Sequence, residues 1–269
     1  DSLVYDGEII ICGFADRHIY FPPYFIEMGH TMPTDYSPEI QQQVIDVFCK
    51  GVKAIGITQG AAKGDMKFSS KKGAMIGEIA ARLSGGFMSG WTFPYHSGID
   101  LTGAAINIAA GLSPGSLNPQ KTMVSAERAA LSIPGIIASV NGISDAESTE
   151  YVNDVFIHKT EGEIVSFPVN NVQKCANCIS LANDRDIAAS AAEQAVRALF
   201  FRLEPGNSDT SDFICRKTFT WAPDAFVLTN PENIAFIISI HPGKGAVPPA
   251  IDQEAAVDWH GLGVKEALN

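Results

Sequence analysis

The sequence predicts an α+β fold: an antiparallel sheet carrying helices, followed by a smaller sheet-plus-helix subdomain. Three observations predict it. Short β-prone runs follow one another across turns too tight for a parallel crossover, beginning with Ser2–Tyr5 and Glu8–Cys12 about Asp6-Gly7. A helical periodicity at Ile40, Val44, Ile45, Phe48 and Val52 interrupts those runs. Beyond Pro114 strand-like runs resume and close on a helix that starts at Asn183-Asp184-Arg185-Asp186.

In chain order, Ser37 serves as N-cap of the first helix, with Pro38 and Glu39 in its first turn. Ile55–Phe68 and Ala74–Ala80 read as strands joined by the polar turn Ser69–Gly73, which makes them a hairpin. Ser84–Tyr95, with Gly85, Gly86, Gly90 and Pro94, reads as a loop. It would either bring Ser89 or Trp91 to a substrate or use Trp91 as a packing anchor. Asp100–Leu112 is a second helix, and Glu127-Arg128-Ala129-Ala130 a short third one. Strands are expected at Ile136–Val140, Val152–His158 and Glu163–Phe167, and around Ile179. A helix to about Leu199 then packs closely through Ala192, Ala195 and Ala198, before a strand over Leu199–Leu203.

Past Glu204 two apolar runs remain, Ala225–Leu228 and Ile234–Ile240. His241-Pro242-Gly243-Lys244-Gly245 lacks the spacing and the following helix of a phosphate loop and reads as a surface turn. The expected domains are therefore 1–113, a lobe built on the hairpin; 114–204, an α+β subdomain; and 205–269, an extension packed on the body.

Composition narrows the functions. With 269 residues, 46% hydrophobic and 18% charged, the chain can bury a sizeable core. A formal net charge of -11 argues against a nucleic-acid partner, which needs a basic surface. No apolar run is long enough to span a bilayer. Five cysteines, at positions 12, 49, 175, 178 and 215, form no disulfide framework, so a reducing cytoplasm is the expected location. Cys175 and Cys178 form a lone C-x-x-C with no second ligand pair for zinc, and read as small strand or turn residues.

The chemistry concentrates in the hairpin. Asp65 and Glu78, thirteen residues apart, fall on opposite strands where pairing sets them side by side. Two adjacent carboxylates repel unless a cation lies between them, and hard oxygen ligands suit Mg²⁺ carried by a nucleotide's phosphates. Arg82, four residues beyond Glu78, can bind a phosphate or carboxylate oxygen pair. The plainer reading is an edge hairpin with solvated charges. Glu78 lies inside an apolar run, where an unpaired charge is costly, and this favours the site.

These residues resemble the C-terminal part of the ATP-grasp superfamily, the carboxylate–amine ligases with their carbamoyl-phosphate synthase and biotin carboxylase relatives. The family pattern is an acid on one strand, Glu-Ile-Asn-x-Arg on the next, then a Gly-rich bend. Here Asp65, Glu78, Ala80, Arg82 and Gly85-Gly86 stand in those places. Ala80 departs from the pattern, because a methyl group cannot replace the Asn that in much of the family helps hold a second Mg²⁺. Upstream, Glu27-Met28-Gly29-His30-Thr31-Met32-Pro33 is similar to a segment of amino-acid and dipeptide ligases.

The resemblance covers residues 1–86, and more weakly continues to about 203. It implies ATP and one or two Mg²⁺ ions, with Mn²⁺ as a substitute, held by Asp65 and Glu78 with Arg82 on the nucleotide side. It also implies catalytic parts for Arg82, His30 and Glu27, the last two facing an amine-bearing substrate. A carboxylate and an amine are the expected small-molecule partners, together with upstream lobes of the same polypeptide; a homodimer is compatible. On this reading the chain is a fragment of a longer ligase and inactive alone. The alternatives are a carbamoyl-phosphate synthase-like enzyme using bicarbonate, and a non-catalytic lobe used for binding or assembly.

Overall fold

The computed structural model describes residues 1–21 and 24–214; the apolar runs at 225–228 and 234–240 and the turn at 241–245 lie outside the described residues. The chain divides into two compact units. Among the described residues, one holds 1–16, 30–126 and 181–185, the other 17–21, 24–29, 127–180 and 186–214.

The opening strands β1 (Ser2–Tyr5) and β2 (Glu8–Ile11) pair antiparallel, with Tyr5 opposite Glu8. Asp6 and Gly7 between them both have positive φ, 51° and 79°, the two-residue turn whose twist matches that of the strands. After β3 (Asp16–Tyr20) and β4 (Ile26–Met32) comes α1 (Pro38–Ala54), which buries Val44, Phe48 and Val52 as its periodicity requires. Ile40 and Ile45 are half-buried at its margin. Ser37 occupies the N-cap, although its side chain makes no capping bond.

The expected hairpin forms from β5 (Gly60–Ser69) and β6 (Gly73–Ala80). Its first strand starts at Gly60 rather than Ile55. Gly56, at φ 79°, ends α1 in the left-handed conformation, and its N–H bonds back to Lys53 O. The β-prone residues 55–58 are thereby taken up in the exit from the helix.

The first unit's sheet runs β2-β1-β5-β6. Leu3 and Ala61 face one core, with Met88, Phe93, Leu101 and Ile108; Val4 and Ala62 face another, with Phe48 and Val52 of α1. Alternation along β1 and β5 thus gives the sheet a helical layer on each side. The segment expected as a loop, Ser84–Tyr95, is a loop only to Phe87 and helical from Met88 on. Gly86 and Phe87 reverse the chain at φ 61° and 64°, a π-helical turn spans Met88–Thr92, and α2 (Phe93–Ser97) continues from it. Burial of Met88 and Phe93 in the core outweighs the glycine-rich local composition. α3 (Leu101–Ala109) follows; the Asp100 carboxylate accepts from Gly103 N at 2.8 Å as its N-cap.

The second unit contributes most of β7 (Val124–Ala130), then β8 (Gly135–Asn141), α4 (Ile143–Glu147), β9 (Val152–Ile157), β10 (Ile164–Val165), β11 (Ala176–Ala182), α5 (Arg185–Ala198), β12 (Phe200–Leu203) and α6 (Ser208–Ile214). A five-stranded sheet has the order β3-β4-β7-β11-β9, and a three-stranded one β10-β8-β12. Glu127-Arg128-Ala129-Ala130, expected as a helix, lies in β7, the central strand of five. Pairing on both edges overrides the helix propensity of those four residues. The Glu163–Phe167 strand shrinks to two residues, while α4 and α6 are additions to the expected elements. Ala195, Val196 and Leu199 pack with Ile137, Ala176, Cys178 and Phe201 in this unit's core. Phe21, Phe167 and Phe213 form an aromatic series beside it, with centroids 5.0 and 5.6 Å apart. No described helix is long and apolar enough to cross a membrane.

Candidate functional site

The β5–β6 register sets Asp65 directly opposite Glu78, and Lys63 opposite Ala80. Gly64 faces Phe48 of α1, and Met66 and Ile79 pack in the α1 core. Alternation therefore gives Lys63, Asp65, Glu78 and Ala80 the other face of the hairpin. The register slips between Asp65 and Met66, whose partner is Ile76, so Gly77 forms a bulge. A Cβ at Gly77 would lie 2.9 Å from Asp65 O, which makes glycine the residue for that place.

A cation stands between the two carboxylates, and it belongs to the chain. Lys63 Nζ is 2.8 Å from Asp65 Oδ2 and 3.0 Å from Glu78 Oε1. The three side chains grade outward, 9% exposed for Lys63, 33% for Asp65 and 56% for Glu78. The ammonium is thus the most buried group of the three and the Glu78 carboxylate the most exposed. Arg82 lies 3.9 Å from Glu78 with half its side chain exposed, and its Nη1 donates to Leu83 O at 3.0 Å. So loose a pair adds little stability and can turn toward a ligand.

Among the described residues, no group of three or more His, Cys, Asp or Glu is placed to hold a metal ion. The donor set that is present fits one hard cation bringing phosphate oxygens and water with it. Each carboxylate has a second oxygen besides the one that meets Lys63, and the Ala80 methyl adds no ligand.

Glu27 and His30 both lie on β4, which is buried at every position. Glu27 belongs to the second unit, where Arg17 pairs with its carboxylate and Asn171 Oδ1 accepts from its N–H at 2.8 Å. His30 belongs to the first unit and is 1% exposed. The structure thus brings Asp65, Glu78 and Arg82 together, and describes Glu27 and His30 each in its own unit. Ser89 is buried and its hydroxyl donates to Ser84 O at 2.8 Å, so it holds the helical turn. Trp91 meets the Phe87 ring edge-on at 5.2 Å and is 37% exposed.

Two polar features escaped the sequence reading. Lys63 was legible in principle, being two residues from Asp65 on the same strand face. The other is a buried cluster in the second unit. Glu127, fully buried, accepts from Asn177 Nδ2, and Asn177 Oδ1 lies 2.8 Å from His158 Nε2, where a ring N–H donates to it. Burial pulls the Lys174 ammonium below the usual lysine range, opposed by the charge of Glu127. Reading residues 127–130 as a helix concealed this cluster. Cys175 and Cys178 are free and buried, and burial pushes both thiols up to about 12, with the Glu127 charge adding to the shift at Cys178.

Residues 129–204 match the family model described as L-amino acid ligase C-terminal domain 2. Human carnosine synthase 1 is 26% identical over 114 residues, which cover 42% of this chain and 14% of that protein. In fold, the chain is similar to L-amino acid ligase from Bacillus licheniformis, with a TM-score of 0.66 and 15% identity over 76% of this chain and 50% of that one. It is also similar to phosphoribosylglycinamide synthetase from Anaerococcus prevotii, with a TM-score of 0.68 and 16% identity over 76% and 52% of the two chains. The chain spans about half the length of these two solved structures and a smaller part of the curated relative.

Proposed function

We propose, from a chain that corresponds to the C-terminal part of the ATP-grasp superfamily, that it serves an ATP-dependent carboxylate–amine ligase of the amino-acid or peptide type. Such an enzyme moves the γ-phosphoryl group of ATP to a substrate carboxylate. An amine then attacks the acyl phosphate, forming an amide and releasing phosphate. The observation that carries the reading is the Asp65–Glu78 pair, directly opposed on an open strand face with Arg82 beyond it.

Phosphoryl transfer asks a protein for position and charge neutralisation more than for covalent chemistry. Asp65 and Glu78 would hold one Mg²⁺, which when bound supplies charge neutralisation across the phosphates. Arg82, exposed and lightly held, steadies charge on the transferred group or on the substrate carboxylate. Glu27 and His30 are assigned to the amino component by resemblance. A second reading, a lobe that binds or assembles without chemistry, draws on Lys63, whose ammonium already satisfies the carboxylate pair.

Phosphate release by the full-length protein with Mg-ATP and pooled amino acids, with and without bicarbonate, tests the proposal. Amino-acid-dependent release is expected. Release that follows bicarbonate instead would move the reading to carbamoyl-phosphate chemistry, and silence from a folded protein would leave the non-catalytic lobe.

A further inference from the structure

We infer that Lys63 is the resident cation of the Asp65–Glu78 pair, so that this site takes one divalent ion with its nucleotide where an open carboxylate pair would take two. The inference rests on the ligase reading and deepens it. Two carboxylates directly opposite one another repel, and the usual remedy is a cation between them. Lys63 Nζ meets both, at 2.8 and 3.0 Å, from the buried side of the face.

The lysine needs the pair as much as the pair needs it. Its side chain is 9% exposed, and an ammonium so buried is costly without a counter-charge. The register explains how it fits: the residue opposite Lys63 is Ala80, whose methyl leaves room for the lysine and offers no oxygen to a metal. Ala80 withholds a ligand and Lys63 supplies a charge, both on the same strand face. Asp65 Oδ2 and Glu78 Oε1 are both turned to the ammonium.

Manganese binding to the full-length protein tests this, counted by EPR and titration calorimetry with a non-hydrolysable ATP analogue. The wild-type protein is expected to bind one Mn²⁺ per nucleotide, and Lys63→Met two, with the spin coupling of neighbouring ions and at least a tenfold gain in affinity for the second. Lys63→Gln, which keeps a polar group in the pocket, gives the same count if the methionine variant fails to fold. Equal counts in wild type and variant, with nucleotide bound, would overturn the assignment of Lys63 and leave the ligase reading intact. No nucleotide bound by either protein would sink the ligase reading and this inference with it.

Discussion

Asp65 and Glu78 share a lysine on an open strand face; Glu127 sits in the interior with an asparagine and, in its electrostatic reach, another lysine. The residue types are nearly the same, and the difference lies in where the carboxylates end. At the hairpin only the lysine is buried, and the acids are 33% and 56% exposed. In the second unit the acid itself is fully buried, with Asn177 bonded on one side to Glu127 and on the other to His158. A buried network of this kind secures one arrangement, whereas a half-exposed pair leaves coordination open. Charge alone does not mark a site. The exposure of the acceptor decides.

That contrast can be broken most directly at Glu127. Glu127→Ala leaves Lys174 and Asn177 facing an uncompensated cavity, and is expected to cost about 3–5 kcal/mol in urea unfolding. A loss below 1 kcal/mol would show that the cluster does not hold the core. Next comes Glu78→Gln, expected on the proposed function to lower kcat/KM for phosphate release by the full-length protein by about 10²–10³-fold while moving the melting point by no more than roughly 2–4 °C. Near-normal turnover would remove Glu78 from the site.

Cys175 and Cys178 sharpen the comparison on the buried side. Their thiols stay protonated to about pH 12 in the folded chain, against about 9 unfolded. Raised folded values favour the folded state fully below pH 9, and this contribution is lost as pH climbs toward 12. Stability should therefore fall by roughly 2–3 kcal/mol at pH 10 relative to pH 8, and the Cys175→Ala/Cys178→Ala double variant should flatten that slope. The smallest effect is at Asp100, whose cap bond holds α3. Asp100→Ala is expected to cost about 1 kcal/mol in thermal melts and leave kcat unchanged, since the bond lies outside the chemistry.

The hairpin was legible because a short polar turn between two β-prone runs leaves one sensible pairing, and pairing alone sets Asp65 against Glu78. α1 was legible from its periodicity. Residues 127–130 were not, because propensity describes an isolated segment and these four sit where both neighbours are strands. The helical turn at 88–97 was hidden for a related reason: its glycines signal a bend, but what orders it is the core that Met88 and Phe93 enter. Lys63 was overlooked beside a motif that drew the eye to its acids.

Gly77 carries a last consequence, for how this segment can vary among descendants. Ile76 and Ile79 both reach Gly51 of α1, although two residues separate them, because the bulge between resets the alternation. Deleting Gly77 alone would return the strand to plain alternation, with both isoleucines on α1 and Glu78 on the other face. The bulge is thus the place in 76–79 where a residue can be lost without moving the acid or the isoleucines that flank it. Single-residue deletions are expected to accumulate at 77 and at the 69–73 tip, and to be purged from 76, 78 and 79.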